Sequence, residues 1–298
     1  IMPSLVGSEM CIRDRPGRAP LVPPSCHDAA GARHAEPAAP PSVPRASTRA
    51  ISSLGLAPAV ADAYAAQGVT HLYPWQANVF AAYAGRACNV LIVAPTSGGK
   101  TLPALLLMLR RFEDEARAAA AAAAAGAALA CASAQEQGSP PPGEPARRPL
   151  ALIVVPYVTL AREYEARLRL LTAPARRVDC AAALAPAVGA PLGVEALYEQ
   201  RGSLPLGADV SIVVCTIERA VGLLRALERE GRLPDLICAI LDEIHIATDP
   251  SRGGKFELLA TKLVYTHVLS AGRLQLIAMS APLPDVPRFA RWLPAAAC

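Results

Sequence analysis

The stretch APTSGGKT, residues 94–101, follows directly on the apolar run NVLIV and puts two glycines, a lysine and a threonine in consecutive positions. Glycines let a backbone curl until its N–H groups converge, and a helix starting there adds a field that favours an anion. The spacing fits the phosphate-loop pattern G-x-x-x-x-G-K-[ST] except at its first position, where Ala94 replaces glycine. In that role Thr96, Ser97, Gly98 and Gly99 wrap a phosphate chain, Lys100 reaches the β- and γ-phosphates, and the Thr101 hydroxyl binds Mg²⁺. In isolation, a glycine turn with a chance lysine would look the same. Yet only three of the 29 basic residues are lysines (Lys100, Lys255 and Lys262), so an ammonium here is pointed. A compact, strongly hydrated charge is not replaced by a guanidinium.

A second stretch, AILDEIH, ends an apolar run with two carboxylates, Asp242 and Glu243. An Asp at a strand end holds Mg²⁺, commonly through its water shell, and the adjacent Glu orients and deprotonates an attacking water. Alone this is an exposed acidic turn; with a phosphate loop upstream it becomes half of a nucleotide site. Gln76, His245 and Ser280 carry no such signal by themselves. Each reads as an ordinary helix-surface, packed or strand-end residue.

The elements that must hold these groups are legible as runs. NVLIV, ALIVV, VSIVV, LICAIL and LQLIAMS are unbroken and rich in Val, Ile and Leu. Strands buried on both faces read this way, which predicts a parallel sheet between layers of helices. Helical stretches lie between them, so the fold class is α/β, a doubly wound parallel sheet with helices on both faces. A further strand is expected in RRVDCAAALA. In such sheets ligands bind beyond the carboxyl ends of the strands. Here those ends carry residues 96–101, Pro156 to Thr159, Cys215 to Arg219, Asp242 to His245, and Ser280 to Pro282, which forms one constellation on one edge. Pro74 marks the start of a helix over YPWQANVF.

Residues 1–50 hold nine prolines and no periodicity, a composition expected of a disordered tail, and the first 15 of them resemble a translated library adaptor. Order is expected from about Ile51 to Cys298. Residues 116–149, poly-Ala passing into QEQGSPPPGEPARR, read as a low-complexity surface insertion whose Ala part extends the preceding helix. The net charge of +4 permits a nucleic-acid partner without arguing for one. The eight cysteines form no CxxC pair, which disfavours zinc and a disulfide framework and points to reduced thiols in an intracellular compartment. No apolar run reaches the length of a membrane helix, about 20 residues.

YPWQANVF, APTSGGKT, VCTIERAVGLL, LDEIHIATDPSRGGKFELLATKL and AMSAPLPDV, in this order, resemble DExH-type superfamily 2 helicases. Among these they are most similar to the helicase-like domain of DNA polymerase theta and to HelQ-type DNA helicases. The resemblance spans about Ile51 to Leu293 apart from the insertion. It implies a RecA-like P-loop NTPase fold, ATP and Mg²⁺ as cofactors, single-stranded or partly duplex DNA as partner, and a nuclear role in DNA repair. It further implies that Gln76 reads adenine, and that His245 and Ser280 couple the nucleotide to the strand. Pro156, Thr216 and Arg219 would line the strand's path. An RNA helicase of the same superfamily and a non-catalytic nucleotide-binding module are the alternatives. Two departures stand out: Pro282 replaces the threonine of Ser-Ala-Thr, and CAAALA stands where the family's glycine-rich segment is expected. Such helicases use a second RecA-like domain that closes the cleft and supplies an arginine finger. The chain reads as the first such domain, of little activity alone.

Overall fold

The computed structural model describes residues 48–132, 148–172 and 192–297. The predicted sheet is present and wider than expected. Its seven strands are all parallel: β3 (Asn89–Val93), β4 (Leu150–Val155), β5 (Gly193–Leu197), β6 (Val210–Thr216), β7 (Leu236–Leu241), β8 (Gln275–Ser280) and β9 (Ala295–Ala297), in the order β5-β6-β4-β7-β8-β3-β9. The five strands read from unbroken runs are the five inner ones. β4, β7 and β8 are buried along their whole length, as runs without alternation require. The strand expected in RRVDCAAALA lies outside the described residues. So do most of the N-terminal tail and the Pro/Gly part of the insertion.

Helices cover both faces. α1 (Pro58–Ala65), α2 (Pro74–Tyr83), α3 (Thr101–Ala132) and α4 (Val158–Thr172) pack against Val90, Ile92, Ile153, Val155, Ile240 and Met279. α5 (Ile217–Arg229), α6 (Gly253–Leu269) and α7 (Val286–Trp292) pack on the opposite face, against Leu91, Leu152, Val154, Ala239, Leu241 and Leu276. Alternate residues of one strand therefore feed two cores, the period-2 geometry of a strand buried on both sides. Pro74 sits at the first helical position of α2 as predicted, where its missing N–H costs nothing. The Ala stretch does continue α3 to Ala132, a helix roughly 48 Å long at 1.5 Å per residue. A small antiparallel pair, β1 (Arg49–Ala50) with β2 (His71–Leu72), precedes the large sheet.

The register levels the carboxyl ends. Val93 pairs with Ser280, Leu241 with Ala278, Val154 with Leu241 and Val155 with Thr216. Every loop that carries a candidate residue thus leaves the sheet at nearly one height.

Candidate active site at the carboxyl edge

The phosphate loop springs from β3, whose neighbour β8 holds its first residue: Ala94 N–H donates to the Ser280 carbonyl at 3.2 Å. The loop then turns tightly, with Gly98 N–H on the Pro95 carbonyl at 3.0 Å. A Cβ on Gly98 would come within 2.9 Å of that carbonyl. Gly99 has φ +82°, and a Cβ there would meet Gln76 Nε2 at 2.6 Å, so this position demands glycine twice over. Ser97 also takes a positive φ, 63°. The Lys100 ammonium turns back over the loop and donates to the carbonyls of Ala94 (3.0 Å) and Pro95 (3.1 Å). Thr101 begins α3, at the positive end of its dipole.

The carboxylates leave β7. Asp242 is buried, and both of its oxygens have partners: Oδ1 accepts from Glu243 N–H at 2.9 Å and Oδ2 from the Tyr164 hydroxyl at 2.8 Å. Burial pushes its pKa up and the Glu243 charge adds to this, while the Tyr164 and Glu243 N–H bonds and the Lys100 charge work against it. Glu243 itself takes left-handed backbone angles, φ 52° and ψ 51°, a costly conformation for a residue with a side chain. It starts a 3-10 turn, Ile244–Thr248. Glu243 Oε2 is buried without a hydrogen bond, and His245 Nδ1 faces it at ion-pair distance, 3.2 Å.

Ser97, Gly99, Lys100, Thr101, Asp242 and Glu243 line one cavity of about 280 Å³, together with Leu102 of α3 and Leu160, Glu163, Tyr164 and Arg167 of α4. Nucleotide and Mg²⁺ fit this donor set. A glycine cradle leaves no room for side chains, an ammonium rests on bare carbonyls, and a hydroxyl and a carboxylate both line the cavity. α4 is the wall that the sequence did not announce. Tyr164, buried on it, sits with its oxygen 3.5 Å from Thr101 Oγ1 as well as bonded to Asp242.

Gln76 is buried rather than free at the cavity wall. Its Oε1 accepts from Tyr73 N–H at 2.8 Å and its Nε2 donates to the Gly99 carbonyl at 2.9 Å, so it fastens α2 to the phosphate loop. Ser280 is fully buried, and its hydroxyl has no hydrogen-bond partner. His245 and Thr96 are exposed, and neither lines the cavity.

The residues expected along a strand's path sit at the ends of β4 and β6. Pro156 and Thr216 are buried there, and Arg219 donates to the Gly202 carbonyl at 3.0 Å. A residue of the motif-bearing loop ties this region together. Arg252 donates to the Pro156 carbonyl at 2.6 Å and to Glu218 at 3.0 Å, and lies 5.4 Å over the exposed Tyr157 ring. Burial opposes ionisation of Glu218, but its own N–H, the Arg252 charge and the Thr216 hydroxyl outweigh that and lower its pKa. Gly253 makes the junction possible, since a Cβ there would lie 2.4 Å from the Ala247 carbonyl. The glycine-rich segment assigned to CAAALA falls outside the described residues. The loop that leaves an edge strand here is residues 198–202, after β5. Among the described residues Cys88, Cys215 and Cys238 are free thiols, no His/Cys/Asp/Glu cluster suits a metal, and no helix is long and apolar enough to cross a membrane.

Comparison with known proteins agrees with this geometry. Residues 73–289 match the DEAD/DEAH box helicase family. Mouse DNA polymerase theta is 29% identical over 82% of this chain, human helicase POLQ-like 28% over 79%, and the DNA helicase Hel308 of Methanocella arvoryzae 26% over 83%. The chain spans only 8%, 17% and 27% of those proteins, respectively. Among solved structures, the DUF1998 helicase MrfA bound to DNA and AMPPNP superposes with a TM-score of 0.56 at 14% identity, over 86% of this chain and 30% of MrfA. Yeast Dbp5 bound to RNA and ADP BeF3 superposes with 0.54 at 16%, over 84% of this chain and 51% of Dbp5. Those two structures establish the RecA-like fold alone.

Proposed function

The chain belongs to the DEAD/DEAH box helicase family, and on that premise we propose that it is the ATP-binding half of a DNA helicase motor acting in DNA repair. The observation that carries this reading is the convergence of Lys100, Thr101, Asp242 and Glu243 on one cavity from the ends of β3 and β7. Gly98 and Gly99 let the loop backbone close on the phosphates, and Lys100 exchanges its two carbonyl partners for phosphate oxygens. Thr101 and Asp242 would hold Mg²⁺, which supplies positive charge where phosphate charge accumulates. Glu243 orients water and takes its proton. An arginine from a second RecA-like domain would complete the site.

DNA is favoured over RNA because the similar proteins include DNA polymerase theta and the DNA helicase Hel308. The strand would cross the ends of β4 and β6, over Pro156, Tyr157, Thr216, Arg219 and Arg252, by phosphate contacts and stacking that do not depend on base sequence. A nuclear location goes with a chromosomal substrate.

The test is nucleotide binding and single-turnover hydrolysis by the chain and its Glu243→Gln variant. Both should bind a fluorescent ATP analogue with Mg²⁺, and hydrolysis, already slow without an arginine finger, should fall in E243Q by about 100-fold or more. Stimulation of the complete motor by single-stranded RNA rather than DNA would move the reading to an RNA helicase. Failure of the wild-type chain to bind nucleotide would end it.

A further inference from the structure

Tyr164 stands where an ordinary core tyrosine would not. α4 crosses the sheet face with Ala161, Tyr164, Leu168 and Leu171 turned inward, a 3–4 spacing that any apolar residue would satisfy. A phenol on that face needs a partner for its hydroxyl. The partners found are Asp242 Oδ2 at 2.8 Å and Thr101 Oγ1 at 3.5 Å, two groups 78 and 63 residues away in the chain. They are the same two groups that the loop geometry assigns to the nucleotide's metal.

The proton can be placed. A phenol has one, and the carboxylate 2.8 Å away accepts only, so Tyr164 donates to Asp242 and turns an oxygen lone pair toward Thr101. With Glu243 N–H on Oδ1 and Tyr164 on Oδ2, the carboxylate plane has no free torsion. Each oxygen keeps a second lone pair, and Asp242 lines the cavity. Groups that hold a metal's ligands in this way set its affinity without touching it.

We propose that Tyr164 is a positioning residue for the divalent cation of the nucleotide complex, fixing Asp242 opposite Thr101. This rests on the nucleotide reading above. It assigns a function in cation binding to α4, an element outside the phosphate loop and the carboxylate turn.

The experiment compares binding of a fluorescent ATP analogue to the wild-type chain, Tyr164→Phe, Asp242→Asn and the double variant, each in excess EDTA and along a Mg²⁺ titration. Y164F removes one oxygen atom, and its melting curve checks the fold. In Y164F, affinity in EDTA should match wild type, while the Mg²⁺ concentration for half-maximal enhancement should rise about tenfold or more. Adding Y164F to D242N should change nothing further, because the group being positioned is already gone. Three results overturn the inference: a Y164F titration like wild type, a tighter Mg²⁺ response, or equal losses with and without Mg²⁺, which would mean packing alone. If wild type binds nucleotide and Y164F is indistinguishable from it, only this inference falls. If wild type binds none, the nucleotide reading falls first.

Discussion

Replacing Gly99 by alanine should be far more damaging than the loss of one glycine suggests, and the structure says by how much. The residue sits at φ +82°, where a side chain costs about 1–2 kcal/mol. Its new Cβ would lie 2.6 Å from Gln76 Nε2, so the amide must move. Gln76 cannot swing freely, because its Oε1 accepts from Tyr73 N–H at the head of α2. Displacing it breaks the 2.9 Å bond to the Gly99 carbonyl and leaves a buried amide underpaired, a loss of about 1–3 kcal/mol. The smaller entropy of the unfolded chain returns about 0.4–1 kcal/mol. The net is a loss of about 2–4 kcal/mol, or a melting temperature lower by roughly 5–15 °C for a domain of this size. The assay is thermal and urea unfolding of G99A, Gln76→Ala and the double variant. Because the collision needs both side chains, the double variant should be less destabilised than the sum of the singles, by about 1–2 kcal/mol. Strict additivity would refute the argument that Gln76 and the loop backbone press on one another.

Burial pushes the Glu165 carboxyl up, but hydrogen bonds from Tyr198 (2.9 Å) and Arg201 (2.6 Å) outweigh it and hold its pKa below the usual range. A lowered folded value means that Glu165 contributes stability above the ordinary carboxylate pKa and loses it as pH falls through the folded one. Glu165→Gln should therefore be less stable than wild type at pH 7, and the gap should close on acidification; urea midpoints at several pH values check this, and a constant gap would contradict it. Arg252→Ala removes the bond to Pro156, the Glu218 pair and the Tyr157 contact, and should weaken single-stranded DNA binding about 5–10-fold by fluorescence anisotropy. Nucleotide affinity without DNA should stay within about twofold, since none of those groups lines the cavity.

The inner sheet and both halves of the site were legible because their signals are local. A short unbroken run of Val, Ile and Leu between turn residues reads as a strand covered twice, and GGKT and DE stand out in consecutive letters. The outer strands were not, for a physical reason. β5 carries Glu195 in GVEAL and is partly exposed, and β9 is three alanines with no β preference at all. β9 pairs because Asn89 reaches across to the Leu293 and Pro294 carbonyls, 3.3 Å each, a contact no window of sequence contains. Tyr164 was hidden inside LAREYEARLRLL, where a tyrosine fits the apolar stripe of a helix and its hydroxyl is silent. The available hint was one of position: it stands two turns into a helix that leaves the ligand edge of the sheet. The family resemblance pointed to Gln76, but not to its attachment, since a glutamine at the third position of a helix says only that its side chain can reach back to the cap.

Little chain separates the cavity from the ends of β4 and β6. Asp242 and Glu243 line the cavity, and ten residues after Asp242 comes Arg252, whose guanidinium lies against Pro156, Tyr157 and Glu218. Between them stand a 3-10 turn and an Asp249 that caps Ser251 and Arg252 through their N–H groups at 2.8 and 2.9 Å. That segment has few free torsions, so a displacement at Glu243 must be absorbed within it or passed on. Absorbing it is costly at both ends: Glu243 already occupies left-handed backbone space, and Gly253 is packed so close to the Ala247 carbonyl that a single Cβ would not fit. A stiff connector with strain at one end and close packing at the other behaves as a lever. On the proposed function, it is the feature that would carry a change in the cavity to the ends of β4 and β6.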